Sequence, residues 1–425
     1  MLMSQQQAFK LRSWTTIFVF QLLALFVYEA QLVETNPVSV KSMDFGLAYF
    51  YRITIGFALL WFLLPKGFAK PSDFFLFLYG LFVVGNYVFF GFYNRDYLDS
   101  YHVGLIIIIL PIFVLKYVLQ FKIKIKNIGL FSTNAALLFL SFFSIVIVLY
   151  SIKNAPTSAG FSFDASYVRR LEGREVYAAG TVIAYLINML ANGIGPYLAF
   201  VAGEKNLKIL IPLSIFIATI WYFLLGLKAP IVLTFLAFCL GLLVRSGSLG
   251  KLPKISLFLV IGLIVIVIFE WVLNNGFSLV AELSFRRMNV VPGQVVSHYL
   301  EFITSNNLWS LWSGLDHMKG VTYLIGELYY TEDSNVNTSA FLVSLANNGI
   351  FGCLFIVFVV MVFFGAIDNI YRLTKNPGFI YIGFFYSIII LEQAATTALL
   401  SSGFALIFLV LFFEKRRMVC SKRQL

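Results

Sequence analysis

The sequence predicts an all-α protein that lies in a membrane and crosses it about twelve times. Of its 425 residues, 60% are hydrophobic and only 12% are charged, and the mean hydropathy is +0.88. Soluble domains have an apolar share of about 45–50%. Stretches of about 20 mainly apolar residues, the length that crosses a bilayer as a helix, recur along most of the chain. We therefore expect a single transmembrane domain over residues 1–425.

Twelve windows have the length and composition of a spanning helix. They are 14–30, 45–64, 72–93, 101–120, 129–151, 179–202, 207–226, 230–246, 254–275, 338–366, 377–391 and 395–413. The last two are short, so eleven spans is the alternative prediction. No small-residue cleavage site follows the first window, Trp14–Ala30, which we interpret as a retained helix and not as a cleaved signal peptide.

The distribution of lysine and arginine between the connections predicts the orientation in the membrane. With twelve spans, 19 of the 31 basic residues fall in one set of loops and in the termini: Lys10, Arg12, Lys66, Lys70, Lys122, Lys124, Lys126, Lys205, Lys208, Arg245, Lys251, Lys254, Arg372, Lys375, Lys415, Arg416, Arg417, Lys422 and Arg423. Since basic residues favour the cytoplasmic side, both termini are predicted to be cytoplasmic.

The opposite set of loops contains ten basic residues: Lys41, Arg95, Lys153, Arg169, Arg170, Arg174, Lys228, Arg286, Arg287 and Lys319. Eight of these lie in three connections, namely the outer loop 152–178, the short turn 226–230 and the large outer loop 276–336, in which we expect short helices. Topology gives no reason for cations there, so these loops are the candidate functional regions. The remaining two basic residues, Arg52 and Lys116, lie inside spans.

The segment 161–180 reads FSFDASYVRRLEGREVYAAG and contains three arginines. If it is helical, Arg170 and Arg174 are four residues apart and share a face, where guanidinium forks suit a phosphate group. The alternative is an interfacial helix whose arginines reach lipid headgroups while Glu172 and Glu175 neutralise them. The candidate anion ligands of this loop are Arg169, Arg170 and Arg174.

Lys228 lies in the tight turn GLKAP, residues 226 to 230, and is either an interface anchor or a further anion ligand. In the large loop, Arg286 and Arg287 are adjacent. His298 and Glu301 are three residues apart in the same loop, and become neighbours if the stretch is helical.

Histidine is the side chain best suited to proton transfer near neutral pH. His298 is therefore the first candidate for handling a proton, and His317 with the adjacent Asp316 is the second. A structural role is the alternative for both histidines.

Several functional classes lack their sequence signatures. The chain has neither a phosphate-binding loop, a nucleophile elbow nor a dinucleotide-binding fingerprint, so no cofactor is predicted. Its histidines and its three cysteines, Cys239, Cys353 and Cys420, show no metal-ligand or disulfide spacing, so no metal site is predicted. The basic residues lie at helix ends, so the net charge of +11 does not indicate a nucleic-acid partner.

The segment 335–352 reads NVNTSAFLVSLANNGIFG and resembles the loop-to-helix junction of the bacterial O-antigen polymerase and ligase superfamily. Thr338 and Ser339 stand where the ligases have a histidine and a small polar residue, and Gly349 and Gly352 match the two glycines of the junction. The Asn337–Thr338 pair resembles the polymerase branch, Wzy. The paired arginines of the large loop, the earlier arginine cluster and the turn GLKAPIVL extend the resemblance, although Lys228 stands where the family usually has arginine.

The resemblance implies a GT-C-like fold and a metal-independent glycosyltransferase in the bacterial cytoplasmic membrane, with its active site facing the periplasm. Undecaprenyl-pyrophosphate-linked oligosaccharide would be donor and acceptor, and a copolymerase that sets chain length is left open as a partner. Arg169, Arg170, Arg174 and Lys228 would bind pyrophosphate. Arg286 and Arg287 would stabilise the leaving group, and His298, His317 or Asp316 would act on the acceptor hydroxyl.

Two alternatives use the same outer cations. A flippase for lipid-linked oligosaccharide would also need a polar path across the membrane, and costly residues such as Arg52 and the pair Glu392–Gln393 are too few in the spans to favour one. An O-antigen ligase would be expected to have the histidine that Thr338 replaces.

Overall fold

The computed structural model describes residues 4–36, 43, 45–91, 100–118, 129–178, 180–312, 320–330 and 335–415. Within these ranges the secondary structure is helical, apart from one isolated bridge between Phe131 and Glu414. This confirms the predicted all-α class for the described part of the chain. Asp316, His317 and Lys319 of the large loop lie outside the described residues.

Six helices of the described part are long and apolar enough to cross a membrane. They are α1 (Gln5–Thr35), α3 (Ser72–Phe90), α5 (Thr133–Lys153), α7 (Val182–Lys205), α10 (Leu249–Leu273) and α14 (Ala340–Thr374).

Six shorter helices are also apolar, and they are α2 (Leu47–Leu63), α4 (Ser100–Phe113), α8 (Leu210–Leu225), α9 (Ala229–Arg245), α15 (Gly378–Ile389) and α17 (Phe404–Phe413). The remaining helices are α6 (Ser166–Val176), α11 (Leu279–Phe285), α12 (Val291–Ser305), α13 (Val321–Tyr329) and α16 (Ala395–Leu400).

Each of the twelve predicted windows overlaps one of these apolar helices, but only six helices of the described part are long enough by themselves to span a bilayer. The last window, 395–413, is divided into α16 and α17 because Gly403 between them has a left-handed backbone with φ of 79°. The helices of the predicted outer loops are α6, α11, α12 and α13.

Local sequence signals account for several helix starts. Ser4 and Gln7 form a reciprocal capping box at the beginning of α1, with bonds of 3.1 and 3.3 Å. Ser132 and Thr181 cap α5 and α7 with their hydroxyl groups, which accept bonds from the N–H groups of Ala135 and Ala184. Pro253 lies in the first turn that follows the 3₁₀ turn Leu249–Lys251 of α10, where a missing N–H costs nothing.

The surface of α10 shows why a membrane is the environment of this protein. Only 11% of its most apolar window is buried, whereas the corresponding value for α3 is 89%. The exposed face of α10 carries Leu259, Val265 and Phe269, which are 61–69% exposed. An apolar face of this kind would be unfavourable in water and matches lipid, so the chain is membrane-embedded.

The chain divides into two compact units. Unit one consists of residues 1–121, 250–365 and 387–395, and unit two of residues 122–249, 366–386 and 396–425. In unit one, α1 packs along α10, and α3 is surrounded by other helices. In unit two, the second half of α7 packs along α9.

Candidate functional site

The paired arginines lie in a π turn, Arg286–Val290, that joins α11 to α12 in unit one and is called the arginine turn below. Ser278 begins α11, and its hydroxyl accepts a bond of 3.1 Å from the N–H of Ala281. The amide of Gln31 from α1 bonds both backbone groups of Ser278, at 2.9 and 2.8 Å. These bonds fix the entry to α11, and thereby the helical run that continues into the arginine turn.

Arg286 is already engaged within the protein. Its Nη1 donates to Glu282 Oε1 at 2.9 Å and to Asn36 Oδ1 at 2.8 Å. Glu282 also accepts bonds from Asn36 and from Thr35, at 3.1 and 3.2 Å. The guanidinium of Arg286 thus ties the arginine turn to the end of α1, which is a structural use of its charge.

Arg287 is exposed and makes no hydrogen bond or ion pair with the described residues. Its five N–H donors are therefore open to a ligand. The two adjacent arginines, which the sequence could not distinguish, have different surroundings, and Arg287 is the one available to bind an anion.

Three amide side chains, Gln21, Asn86 and Asn289, form a buried cluster beneath the arginine turn, called the amide triad below. Each is at most 1% exposed. Asn86 Oδ1 accepts bonds from Gln21 at 2.9 Å and from Asn289 at 3.0 Å, and Asn86 Nδ2 donates to the carbonyl of Met288 at 2.8 Å. Asn289 Nδ2 also donates to Gln21 Oε1 at 3.2 Å.

The amide triad ties the arginine turn, at Met288 and Asn289, to α1 and α3. Leaving such a buried polar group unpaired costs about 1–3 kcal/mol, so the triad strongly constrains the backbone that carries Arg287. The sequence reasoning did not identify it. The available signal was the presence of Gln21 and Asn86, two amides inside otherwise apolar predicted spans.

His298 lies in α12 between aromatic rings. Its imidazole stacks on Tyr329, with ring centroids 4.2 Å apart, and meets the edge of Tyr330 at 5.6 Å. The predicted neighbour Glu301 is present, with Oε2 at 3.8 Å from Nδ1, too far for a hydrogen bond. Burial lowers the pKa of His298 to about 4, so the imidazole is neutral at pH 7 and forms no ion pair.

The chemistry available to His298 follows from this neutral state. An imidazole with a pKa of about 4 is a weak base, but its unprotonated nitrogen still accepts a hydrogen bond. Burial also raises the pKa of Tyr330 to about 12, so its phenol remains a donor at neutral pH. The surroundings of His298 favour orienting a hydroxyl group over abstracting its proton.

In unit two, the three arginines of α6 are divided by burial. The predicted helix is present, and Arg170 and Arg174 are exposed, four residues apart. Arg169 is fully buried, lies 5.3 Å above the ring of Tyr222 and donates from Nη2 to the carbonyl of Ser162 at 2.6 Å. Its Nε has no hydrogen-bond partner in the described part of the chain.

The acidic residues of α6 do not neutralise its arginines within the described structure. Glu172 Oε2 instead accepts bonds from the N–H of Ser158 at 3.0 Å and from the hydroxyl of Thr157 at 3.1 Å. The charges of Arg170 and Arg174 are therefore uncompensated by Glu172, which weakens the prediction that this helix is merely a neutralised interfacial helix.

Lys228 is exposed at the turn before α9, and its ammonium lies 3.4 Å from the ring centre of Phe163, just before α6. The turn contacts α6 because Gly226 has a left-handed backbone with φ of 63°, and a Cβ there would lie 2.2 Å from the carbonyl of Ser166. Lys228 and the N-terminal part of α6 are thus neighbours in unit two, while the arginine turn and His298 belong to unit one.

The junction 335–352 contains a kink with a clear backbone cause. Gly349, inside α14, has φ of 71° and ψ of −164°, a combination that is accessible essentially only to glycine. The N–H groups of Ile350 and Phe351 donate to the carbonyls of Ser310 and Leu311 at 3.2 and 3.1 Å. The kink therefore attaches the large loop to α14.

Two further contacts link this junction to the candidate residues of unit one. The hydroxyl of Tyr299, next to His298, donates to the carbonyl of Val336 at 2.9 Å. Trp312, which is 71% exposed, stacks on Phe351 at 4.4 Å. Thr338 and Ser339 are buried.

No group of three metal-ligating side chains is found among the described residues, and Cys239 and Cys353 are free thiols. Asp316 and His317, the second candidates for proton handling, are outside the described part. Comparisons with protein-family models, curated proteins and solved structures found no match to this chain.

Proposed function

We propose that the chain is a polymerase that joins undecaprenyl-pyrophosphate-linked oligosaccharide repeat units on the outer face of the bacterial cytoplasmic membrane. The observation that carries the proposal is the arginine turn. It presents an exposed, unpaired Arg287 from a backbone that the buried amide triad fixes. Preorganised cations of this kind stabilise charge that develops on a leaving group.

In the proposed reaction, the bond between the donor sugar carbon and its pyrophosphate oxygen breaks, and a glycosidic bond forms to a hydroxyl oxygen of the acceptor repeat unit. Undecaprenyl pyrophosphate leaves with the bonding electron pair, and the hydroxyl proton passes to a base or to water. Arg287 binds the departing pyrophosphate with two directed hydrogen bonds, and Arg286 keeps the turn in place through Glu282.

On the acceptor side, the neutral imidazole of His298 accepts a hydrogen bond from the sugar hydroxyl and orients it, while its stacking on Tyr329 fixes the ring. Asp316 and His317 are the alternative proton acceptors. The exposed Trp312 offers an aromatic face for a sugar ring. Orientation of this type can supply a large part of the rate enhancement.

The cations of unit two are assigned to the second pyrophosphate-linked lipid. Arg170, Arg174 and Lys228 are exposed and carry charge that Glu172 does not compensate. Arg169 is a buried residue of the same helix, and its Nε is a donor without a partner among the described residues. Lys228 contributes charge but not the bidentate fork of an arginine.

The test is to delete the gene in its host and to resolve the surface polysaccharide on a gel. Deletion should leave single repeat units on the lipid acceptor, and wild type should restore the ladder of long chains. Arg287→Ala should fail to restore it and lower the turnover of the reconstituted protein by about 100-fold or more. Arg287→Lys should restore only a weak ladder, because a lysine cannot form the two directed hydrogen bonds of a guanidinium group.

Arg245→Ala is the matched control, since this arginine is also exposed and lies on the predicted cytoplasmic side; it should restore full ladders. Normal ladders in the deletion strain would overturn the proposal. Complete loss of surface sugar, with lipid-linked repeat units retained inside, would support a flippase. Accumulation of finished polymer that is not transferred to lipid A would support a ligase.

A further inference from the structure

A cavity of about 440 Å³ lies in unit one, among residues that the predicted topology places on the cytoplasmic side. The beginning of α1 lines it with Gln5, Gln6, Phe9 and Arg12. The turn after α2 contributes Lys66, and the start of α10 contributes Pro253. The volume is within the range of small-molecule sites, about 300–1,000 Å³.

The cavity is surrounded by positive charge. Arg12 and Lys66 line it, and none of its lining residues has a carboxyl group. Lys10 and Lys116 are close enough to Lys66 for their ammonium groups to repel it. Such a concentration of like charge in a concave site attracts anions.

A carboxylate that interacts with Lys116 is already in use. Asp73, near Lys116, is 6% exposed, and its Oδ2 accepts bonds from the backbone N–H groups of Ala69 and Lys70 at 2.9 and 3.0 Å. Asp73 thus stabilises the chain before α3. Its carboxylate is occupied by these backbone bonds, whereas four basic side chains, Lys10, Arg12, Lys66 and Lys116, lie in or near the cavity.

The four basic residues differ in whether they are free to bind. The ammonium of Lys10 lies 4.9 Å from the ring centre of Trp61, and that of Lys116 donates to the carbonyls of Phe62 and Leu64. The side chains of Arg12 and Lys66 have no hydrogen bond or ion pair with the described residues. They are the two cations that line the cavity and also have open donors.

We propose that this cavity binds a phosphate group, with Arg12 and Lys66 as ligands, and that the phosphate belongs to the headgroup of an anionic phospholipid. Membrane topology explains why cations lie on this side, but it does not require two of them to face one cavity that lacks an acid. The apolar Phe9 and Pro253 beside them suit the glycerol part of a lipid, and basic pockets at the cytoplasmic side of membrane helices bind such headgroups.

Native mass spectrometry of the purified full chain tests the proposal with defined lipids. Wild type should retain phosphatidylglycerol in preference to phosphatidylcholine. The double variant Arg12→Gln/Lys66→Gln should lose that preference, with binding of phosphatidylglycerol weakened about fivefold or more for each charge removed. Unchanged thermal unfolding should accompany the loss, since both side chains are exposed.

The control is Arg245→Gln/Lys254→Gln, which removes the same charge from exposed residues on the same predicted side. Equal loss in this control, or equal binding of the two lipids by wild type, would overturn the proposal. Titration with inorganic phosphate forms a separate arm. If inorganic phosphate binds in a way that depends on Arg12 and Lys66, but phosphatidylglycerol is not preferred, the site binds phosphate and its ligand is a soluble phosphate compound. That outcome would overturn the assignment to a lipid headgroup. Since no turnover is measured, failure here is independent of the polymerase proposal.

Discussion

At the scale of single residues, burial decides what a charged or titratable side chain can do. Arg169 is enclosed by α6 and Tyr222, while Arg170, the next residue, is exposed. Arg286 is held by Glu282, while Arg287 is free in the described structure. His298 is packed between tyrosine rings and stays neutral. Residue type alone therefore identified the candidates. Their surroundings show which of them are held within the protein and which are exposed and able to bind a ligand.

His298 should make the stability of the protein depend on pH. In the unfolded chain its imidazole binds a proton as pH falls below about 6.5, but burial lowers its pKa to about 4 in the folded state. The unfolded state therefore binds more protons between these values. We expect the free energy of unfolding to fall as pH decreases from about 6.5 to about 4, and to be unaffected by this group at higher pH.

Thermal unfolding in detergent across that pH range measures the effect. His298→Gln should flatten the pH dependence, whereas His102→Gln, at an exposed histidine of α4, should leave it as in wild type. A pH profile that is the same in wild type and His298→Gln would show that His298 is not the titrating group.

At the scale of elements, interruptions in helices position the candidate residues. The π turn between α11 and α12 carries Arg286 and Arg287, and π segments are frequent at functional sites. The kink at Gly349 opens α14, so that two of its N–H groups bond the large loop instead of a preceding helical turn. In both places the amide hydrogen bonds hold an irregular backbone that helix propensity alone would not favour.

Replacing Gly349 should damage this arrangement. Its φ of 71° and ψ of −164° are accessible essentially only to glycine, so Gly349→Ala should lower the free energy of unfolding by about 1–3 kcal/mol. The measurement is thermal unfolding of the purified variant. Gly262→Ala in α10 is the control, because a Cβ there meets no atom within 4 Å, and it should be neutral or slightly stabilising. Equal stability of Gly349→Ala and wild type would show that the kink is not required.

At the scale of the whole molecule, the apolar face of α10 and the uneven distribution of basic residues describe the same environment. Only 11% of the apolar window of α10 is buried by the protein, so the remaining surface is suited to lipid. The preference of basic residues for the cytoplasmic side predicts that the loop set with 19 of them is cytoplasmic. The resulting prediction is that α6 is on the outer side and the chain before α8 is on the inner side.

Cysteine labelling can measure this sidedness in a variant in which Cys239, Cys353 and Cys420 are replaced by serine. Tyr167→Cys, at a position 67% exposed in α6, should react with a membrane-impermeant maleimide in intact spheroplasts. Lys208→Cys should react only after the membrane is permeabilised. The reverse pattern would invert the topology and place the arginines of α6 in the cytoplasm.

The sequence by itself determined the all-α membrane class, and each predicted window overlaps an apolar helix of the described residues, although α1 begins nine residues before its window and α14 ends eight residues after its own. It also showed that the segment of α6 could be helical. These features depend on local composition, because a bilayer requires continuous apolar stretches whose backbone bonds are satisfied within each helix. The sequence also marked Gly349, but as a residue of a family motif and without its structural cause.

Only the tertiary structure decided which polar side chains are buried and what they bond. The amide triad joins Gln21, Asn86 and Asn289, which are separated by 65 and 203 residues along the chain. Likewise, the cavity of Arg12 and Lys66 combines the starts of α1 and α10 with the turn after α2. Such groupings arise from packing between distant segments, and no local pattern in the sequence encodes them.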